Sequence, residues 1–305
     1  MSNPQGPVSA IVVTHDSAAV LPDCLVALSR EGAAVVVVDN KSTDNSVRIA
    51  LDCGAQVIPN HSNQGYGRSN NIGVQAAGTE LCLIVNPDVV VQPGSIAALV
   101  KAASEHPEAA VFGPRLLEPD GRVFFHAGSV LEEPTDARRA KNRALDHDCE
   151  VVVLSGAALL VRRSVFIMLG GFDSSIFLFY EDDDFCYRAR AAGHRLRYVP
   201  AATANHLRGK SSVQTLANVQ RTRFHQAWSR VYVCRKHGKR SNVAVLLPTY
   251  VLKYAVSTLC GDPFRRARYA SSVLGTWAAL RGETALAREG LLDADGLATT
   301  RSPQR

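Results

Sequence analysis

The chain has 305 residues, 46% of them hydrophobic and 20% charged. That balance excludes a disordered or fibrous protein and allows one large domain, or a domain with an appendage. The formal charge of +6 is uneven: residues 218–305 carry 15 Lys+Arg against 5 Asp+Glu, a net +10, and the first 217 carry 19 against 23, a net −4. A nucleic-acid-binding protein more often has a wholly basic domain, so no nucleic-acid partner is expected, and the basic C-terminal part fits an appendage that meets something anionic.

Cys24, Cys53, Cys82, Cys149, Cys186, Cys234 and Cys260 are odd in number and never spaced C-x-x-C. This argues against a zinc site or a disulfide framework. The start, MSNPQGPVSAIVV, lacks the basic residues and long apolar stretch of a signal peptide. A reduced, cytoplasmic protein is the expectation.

In chain order, VSAIVVT (8–14) reads as a strand and the amphipathic stretch 18–30 as a helix. AAVVVVD (33–39) is a second strand, followed by a short helix opened by Ser42, Thr43 or Asp44. Strands at 55–59, 80–86 and 109–113 then alternate with helices at 68–77 and 93–104. Continuous Val/Ile runs between helices predict an α/β domain with a mostly parallel sheet covered on both faces. Residues 115–150 are polar and turn-rich, with EEPTDARRAKNR (132–143) as the expected mobile loop. Apolar structure returns at VVVLSGAALLV (151–161), then a helix near 163–169 and a strand near 195–199. From 214 the chain reads helical, with a frayed tail over 285–305. The expected organisation is a catalytic domain over 1–213, a basic helical region over 214–284, and the tail.

Ligands of open parallel sheets bind outside the carboxyl ends of the strands. Thr14, His15 and Asp16 end the first strand and Asp39 the second. LCLIVNPDVV (81–90) ends a core strand at Asn86-Pro87-Asp88, a turn whose proline fixes the geometry of the carboxylate after it. HSNQGYGRSNNIG (61–73) nearly spells the dinucleotide fingerprint but lacks the third glycine and follows the wrong strand, which disfavours a dehydrogenase. In FLFYEDDDFCYRARAAGH (177–194) four acids open a helix with Phe185, Ala189 and Ala192 inward. They either cap that helix or form a general base raised by aromatic walls. Asp182 would point into a cleft and Asp183 to solvent. His206, in ANHLRGKSS, is either a surface histidine or shares a divalent cation with Asp88.

Taken in order, VVTHDS, VVVVDNKSTDNS, NQGYGRSNNIG, LIVNPDV, LSGAALLVRRSVFIMLGGFDSSIFLFYEDDDFCYR and HLRGKSS resemble the motifs of inverting family-2 glycosyltransferases of GT-A fold. The nearest subgroup is similar to bacterial rhamnosyltransferases acting on polyprenyl-diphosphate-linked sugars. The resemblance implies that Thr14, His15 and Asp39 hold the base and ribose, and that Asn63, Gly65, Tyr66, Asn71, Asn86 and Arg163 complete the nucleotide-sugar site. It implies a Mn²⁺ or Mg²⁺ ion on Asp88 and His206, and Asp182, beside Glu181, as catalytic base. Here the chain has His15 in place of the more usual aromatic and Asp183 in place of an apolar residue. The implied donor is dTDP-L-rhamnose, with other UDP- or GDP-sugars as alternatives, and the implied acceptor is a saccharide, lipid-linked, of cell-envelope polysaccharide synthesis.

VAVLLPTYVLKYAVSTLC (243–260) lies between RKHGKR and FRRARY. Pro248 and Lys253 interrupt it, so it is too broken to span a bilayer. It is either a core or homodimer-interface helix, or a helix lying on an anionic membrane, which would place the enzyme peripherally on the inner face of the cell membrane. Two other classes compete with the glycosyltransferase. A non-catalytic nucleotide-sugar-fold scaffold is opposed by intact Asp39, Asp88 and Asp182; a nucleotidyltransferase is opposed by the lack of a glycine-rich basic loop after the first strand.

Overall fold

The structure, a computed structural model, describes residues 7–125, 128–132, 146–207 and 215–291. The loop expected over 132–143 and most of HLRGKSS lie outside these residues. The described residues form two compact units. One contains the sheet and the helices around it. The other contains the C-terminal helices and also Ser174–Tyr180.

The first unit begins β1 (Val8–Thr14), α1 (Leu21–Arg30), β2 (Ala34–Asp39), α2 (Ser46–Asp52), β3 (Gln56–Pro59), α3 (Tyr66–Ala76) and β4 (Leu81–Val85). It continues with β5 (Val89–Val91), α4 (Ser95–Glu105), β6 (Ala109–Leu117), β7 (Val123–Phe124), β8 (Cys149–Glu150), β9 (Ala158–Arg162), α5 (Arg163–Met168), α6 (Glu181–Ala191) and β10 (Arg195–His206). The sheet order is β3-β2-β1-β4-β9-β6-β10-β5, with β7 beside β6 and β8 beside β10. β1 through β4 pair in parallel, as do β6 and β10; β9 enters antiparallel between β4 and β6. The sheet is therefore mixed, with parallel pairs among β1 to β4 and between β6 and β10.

All seven residues of β1 are buried, which is why the strand reads as an unbroken apolar run. Successive side chains point to opposite faces. Val8, Ala10 and Val12 join a core with Leu21, Leu25 and Leu28 of α1 and Ile96 and Leu99 of α4. Ile11 joins a second core with Val74 of α3, Phe166 of α5 and Phe185 of α6. In α6, Phe185 and Ala189 face inward as expected, but Ala192 lies past the helix end and is exposed.

In the second unit α7 (Leu216–Lys236) packs against α9 (Pro263–Leu280), with α8 (Val243–Leu259) between them in sequence and α10 (Ala285–Arg288) after them. Small residues let α7 and α9 approach closely: a Cβ on Gly275 would lie 2.2 Å from the Phe224 carbonyl oxygen. Ala285, Leu286 and Leu291 are buried, so order persists beyond 285, where a frayed tail was expected. Along α8 the buried residue is Ser257, whereas Val245, Leu252, Val256 and Leu259 are exposed. No described helix is long and apolar enough to cross a membrane. The seven cysteines are free thiols.

Candidate active site

β4 stops at Val85, and the Asn86 N–H donates to the Ala157 carbonyl at 3.0 Å. The Val89 N–H donates to the Asn86 carbonyl at 3.1 Å, closing a β-turn with Pro87 and Asp88 at its centre. The chain then pairs antiparallel with β10, Val89 opposite His206, and the Leu207 N–H donates to the Asp88 carbonyl. This double anchoring buries Asp88 to 2% exposure, with its Oδ1 3.5 Å from His206 Nε2. Asp88 Oδ1 and His206 Nδ1 are buried without a hydrogen-bond partner among the described residues.

A buried carboxylate oxygen without a hydrogen bond is costly, and a divalent cation would offset that cost. One carboxylate and one imidazole suit Mn²⁺ or Mg²⁺. No group of three or more His, Cys, Asp or Glu side chains placed to hold a metal ion is found among the described residues. Such an ion would take its remaining oxygens from a diphosphate and water, the usual arrangement for magnesium on substrate phosphates. The residues fit the ion.

Thr14 and Asp39 sit side by side at the ends of β1 and β2. Buried Thr14 Oγ1 and His15 Nδ1 have no hydrogen-bond partner among the described residues, while the Asp39 carboxylate accepts from the Ser42 N–H. Asp16, at φ 51°, accepts from the Thr43 N–H at 2.6 Å and from the Thr43 hydroxyl. Asp44 accepts from the Ala18 N–H. Residues 42–44 thus stitch two loops together, and α2 begins at Ser46, not at the residues expected to open it. Asn63 Oδ1 accepts from the N–H of Gly65, whose φ of +83° is one a glycine tolerates without strain. The Tyr66 hydroxyl donates to the Gly156 carbonyl at 2.7 Å.

Asn40 was not anticipated, yet it ties this rim together. Its Nδ2 donates to the Gly65 carbonyl, and its Oδ1 accepts from Ser69 Oγ at 2.6 Å and Asn60 Nδ2 at 2.9 Å. The available signal was an amide directly after a strand-ending aspartate in VVVVDN, a polar group that must find partners once buried.

The four acids of α6 separate by environment. Asp182 is half-buried; its Oδ2 accepts from the Gly156 N–H at 2.7 Å and its Oδ1 from the Asp183 N–H at 2.9 Å. A Cβ on Gly156 would meet Asp182 Oδ2 at 3.2 Å, so the glycine admits this close approach. Glu181 is buried, and its carboxyl is pushed up to about 8, chiefly by burial and then by the charge of Asp182. The Tyr66 phenol is raised too, by burial first and then by Glu181 and Asp182. Asp184 pairs with Arg188, whose guanidinium also donates to the Leu169 and Gly171 carbonyls.

Two expectations are corrected, for Asp183 and Arg163. Asp183 does not face solvent: at 2% exposure it accepts from Ser129 Oγ at 2.6 Å and from the Val130 N–H, anchoring the segment after β7. Asn71 has a structural role, donating to the Phe172 carbonyl and accepting from the Phe172 N–H, both at 2.8 Å, which leaves its amide one N–H and one lone pair. Arg163 lies at the far end of the sheet, because β9 runs antiparallel to β4 and pairs Arg162 with Leu81. Its guanidinium donates to the Val74 and Gln75 carbonyls at the end of α3.

Comparison with known proteins identifies the family and the fold. The family described as Glycosyl transferase family 2 matches residues 9–170. The chain is 31% identical over 234 residues to the N-acetylglucosaminyl-diphospho-decaprenol L-rhamnosyltransferase of Mycobacterium tuberculosis, covering 66% of this chain and 76% of that one. It is 29% identical over 161 residues to the rhamnosyltransferase WbbL of Escherichia coli, covering 47% and 60%. The mannosyltransferase PcManGT from Pyrobaculum calidifontis, solved with GDP-Man and Mn²⁺, superposes with a TM-score of 0.55 at 16% identity, covering 90% of this chain and 87% of that one. The fold is GT-A. The protein belongs to glycosyl transferase family 2 and is a glycosyltransferase.

Proposed function

We propose that the protein transfers L-rhamnose from dTDP-L-rhamnose, with inversion, to a saccharide on a polyprenyl diphosphate, in cell-envelope polysaccharide synthesis. The observation that supports this best is the set of buried polar atoms at the strand ends with no hydrogen-bond partner among the described residues: Thr14 Oγ1, His15 Nδ1, Asp88 Oδ1 and His206 Nδ1. The mycobacterial and Escherichia coli relatives, both rhamnosyltransferases, support the sugar, and the mycobacterial one supports the lipid-linked acceptor.

In this reading Thr14, His15 and Asp39 hold the nucleoside, with Asn63 and Gly65 shaping the loop around it. Asn86 supplies the turn that aims Asp88. A Mn²⁺ or Mg²⁺ ion on Asp88 and His206 would supply Lewis-acid neutralisation of the diphosphate. Asp182, oriented by the Gly156 N–H, accepts the proton of the acceptor hydroxyl. The bond from that oxygen to the anomeric carbon forms as the bond to the diphosphate oxygen breaks on the opposite face. Glu181, its carboxyl pushed up to about 8 by burial, is neutral near pH 7. The exposed apolar residues of α8 beside Arg265, Arg266 and Arg268 support peripheral attachment to an anionic membrane on the cytoplasmic side.

A thermal-shift panel of dTDP, UDP and GDP, each with and without Mn²⁺ or Mg²⁺, tests the donor site. A ligand at about 100 times its Kd should stabilise by roughly 2.7 kcal/mol. Stabilisation by dTDP with metal, lost in Asp88→Ala, is expected. Preference for UDP or GDP would overturn the donor assignment, and no response to any nucleotide would overturn the function.

A further inference from the structure

The ring of Tyr66, at the start of α3, packs against the second core, its centre 6.4 Å from that of Phe172. Packing of that kind asks for a ring and not for a phenol, so the hydroxyl needs an account of its own. It donates to the Gly156 carbonyl at 2.7 Å, and the Gly156 N–H donates to Asp182 Oδ2 at 2.7 Å. One residue of backbone separates the phenol from the carboxylate. All of these residues belong to the sheet-containing unit.

Gly156 and Ala157 form the middle of a β-turn, closed by the Ala158 N–H on the Ser155 carbonyl at 3.3 Å. The Ala157 N–H, in the same peptide plane as the Gly156 carbonyl, donates to Ser155 Oγ at 3.3 Å. The Ala157 carbonyl accepts from the Asn86 N–H at 3.0 Å, and Asn86 belongs to the turn that carries Asp88. The Ser155–Ala158 turn is thus bonded both to the Asp88 turn and to Asp182, and the Tyr66 hydroxyl fastens its centre. Close approaches leave this arrangement little slack. Gly156 is not among the left-handed glycines, and the three atoms nearest to a Cβ placed on it, at 3.2, 3.3 and 3.4 Å, all belong to Asp182. A Cβ on Gly67, the residue after Tyr66, would lie 3.1 Å from Phe172 Cβ and 3.6 Å from Glu181 Cβ.

We infer that the Tyr66 hydroxyl is a positioning group for Asp182: it fixes the Gly156 peptide that aims the carboxylate, and through Asn86 the same turn sets that carboxylate relative to Asp88. The hydroxyl acts through the Gly156 backbone and not on a reacting atom. The role belongs to the hydroxyl alone, and the donor contact expected of Tyr66 would fall to its ring. Burial raises the phenol, so it keeps its proton and remains a hydrogen-bond donor. The inference rests on the reading of Asp182 as the base.

The test uses the full-length enzyme with dTDP-L-rhamnose and a polyprenyl-diphosphate-linked saccharide. In Tyr66→Phe and in Gly156→Ala the single-turnover transfer rate should fall at least about tenfold while the Kd for dTDP with metal stays within about twofold, since a 1 Å misplacement of a reacting group can cost about 100-fold. Hydrogen exchange of a peptide covering 154–158 should rise in Tyr66→Phe. Undiminished transfer in both variants, with Asp182→Asn inactive, would overturn the positioning role and leave the base reading intact. A much weakened affinity for dTDP in Tyr66→Phe would make the hydroxyl a donor contact and overturn the role as well. Asp182→Asn transferring as fast as wild type, or a wild type that transfers no sugar from any donor, would overturn the base reading and this role together.

Discussion

Asp88 and Glu181 illustrate two ways a carboxyl can be buried. Asp88 sits beside His206 in a turn held by backbone bonds at Asn86, Asp88 and Val89. Glu181 has its Oε2 buried without a partner among the described residues and is held neutral by its surroundings. The second case has a pH signature. Because the folded-state value is raised from 4.5 to about 8, the folded protein holds a proton that the unfolded chain has released between those two pH values. Stability from this group is therefore full below about pH 4.5, falls as pH rises, and is lost above about pH 8, with a slope of at most about 1.4 kcal/mol per pH unit. Glu181→Gln should abolish that slope. Denaturant titrations of wild type and variant at pH 5 and pH 8 check it: equal losses in both proteins would mean that Glu181 is ionised in the fold.

At the level of elements, the β-α alternation up to α4 was legible because continuous apolar runs between amphipathic helices have few other solutions. The strand-end residues Thr14, Asp39 and Asp88 were legible for the same reason, since an open sheet binds at its carboxyl edge. The place of β9 was not. AALLV has the composition of any buried strand, and nothing in it states that it will run antiparallel between β4 and β6. That one reversal carried Arg163 to the opposite end of the sheet. The structural role of Asn71 was not legible either: its amide exchanges one donated and one accepted bond with the GGFD turn. A Cβ on Gly171 would lie 2.5 Å from Asn71 Oδ1, which shows how closely the two segments meet. Gly73 is the corresponding contact between α3 and the sheet. A Cβ there would lie 2.3 Å from Ile11 Cγ2 and 3.1 Å from Val38 Cγ2. Gly73→Ala should destabilise by about 1–3 kcal/mol, the range for an overpacked core. A denaturation midpoint equal to wild type would show that α3 can lift from β1 and β2 without cost.

Across the whole molecule the charge is divided, a net −4 on the first 217 residues and +10 on the rest. The basic share accompanies exposed apolar side chains on α8 and α9, including Leu252, Leu259, Phe264 and Trp277. An exposed apolar patch among arginines marks an interaction surface more often than a plain solvated one. Replacing Leu252 and Leu259 together by aspartate should release the full-length protein from vesicles containing anionic lipid while sparing its binding of nucleotide. Sedimentation with vesicles of anionic and of neutral lipid reads the difference; undiminished pelleting with anionic vesicles would refute the membrane role.

The position of β9 also bears on how the molecule is made. It is the central strand of the sheet's middle, yet it is synthesised after β4, β5, β6 and the long polar segment that follows them. Until residue 162 has left the ribosome, the Leu81–Val85 edge has no partner on that side, and β6 has no neighbour through which to join β1 to β4. An apolar, unpaired strand edge is a template for association with other chains. The nascent protein thus passes through an interval in which its most buried surface is its most exposed one, and the arrival of five residues, Ala158 to Arg162, ends it.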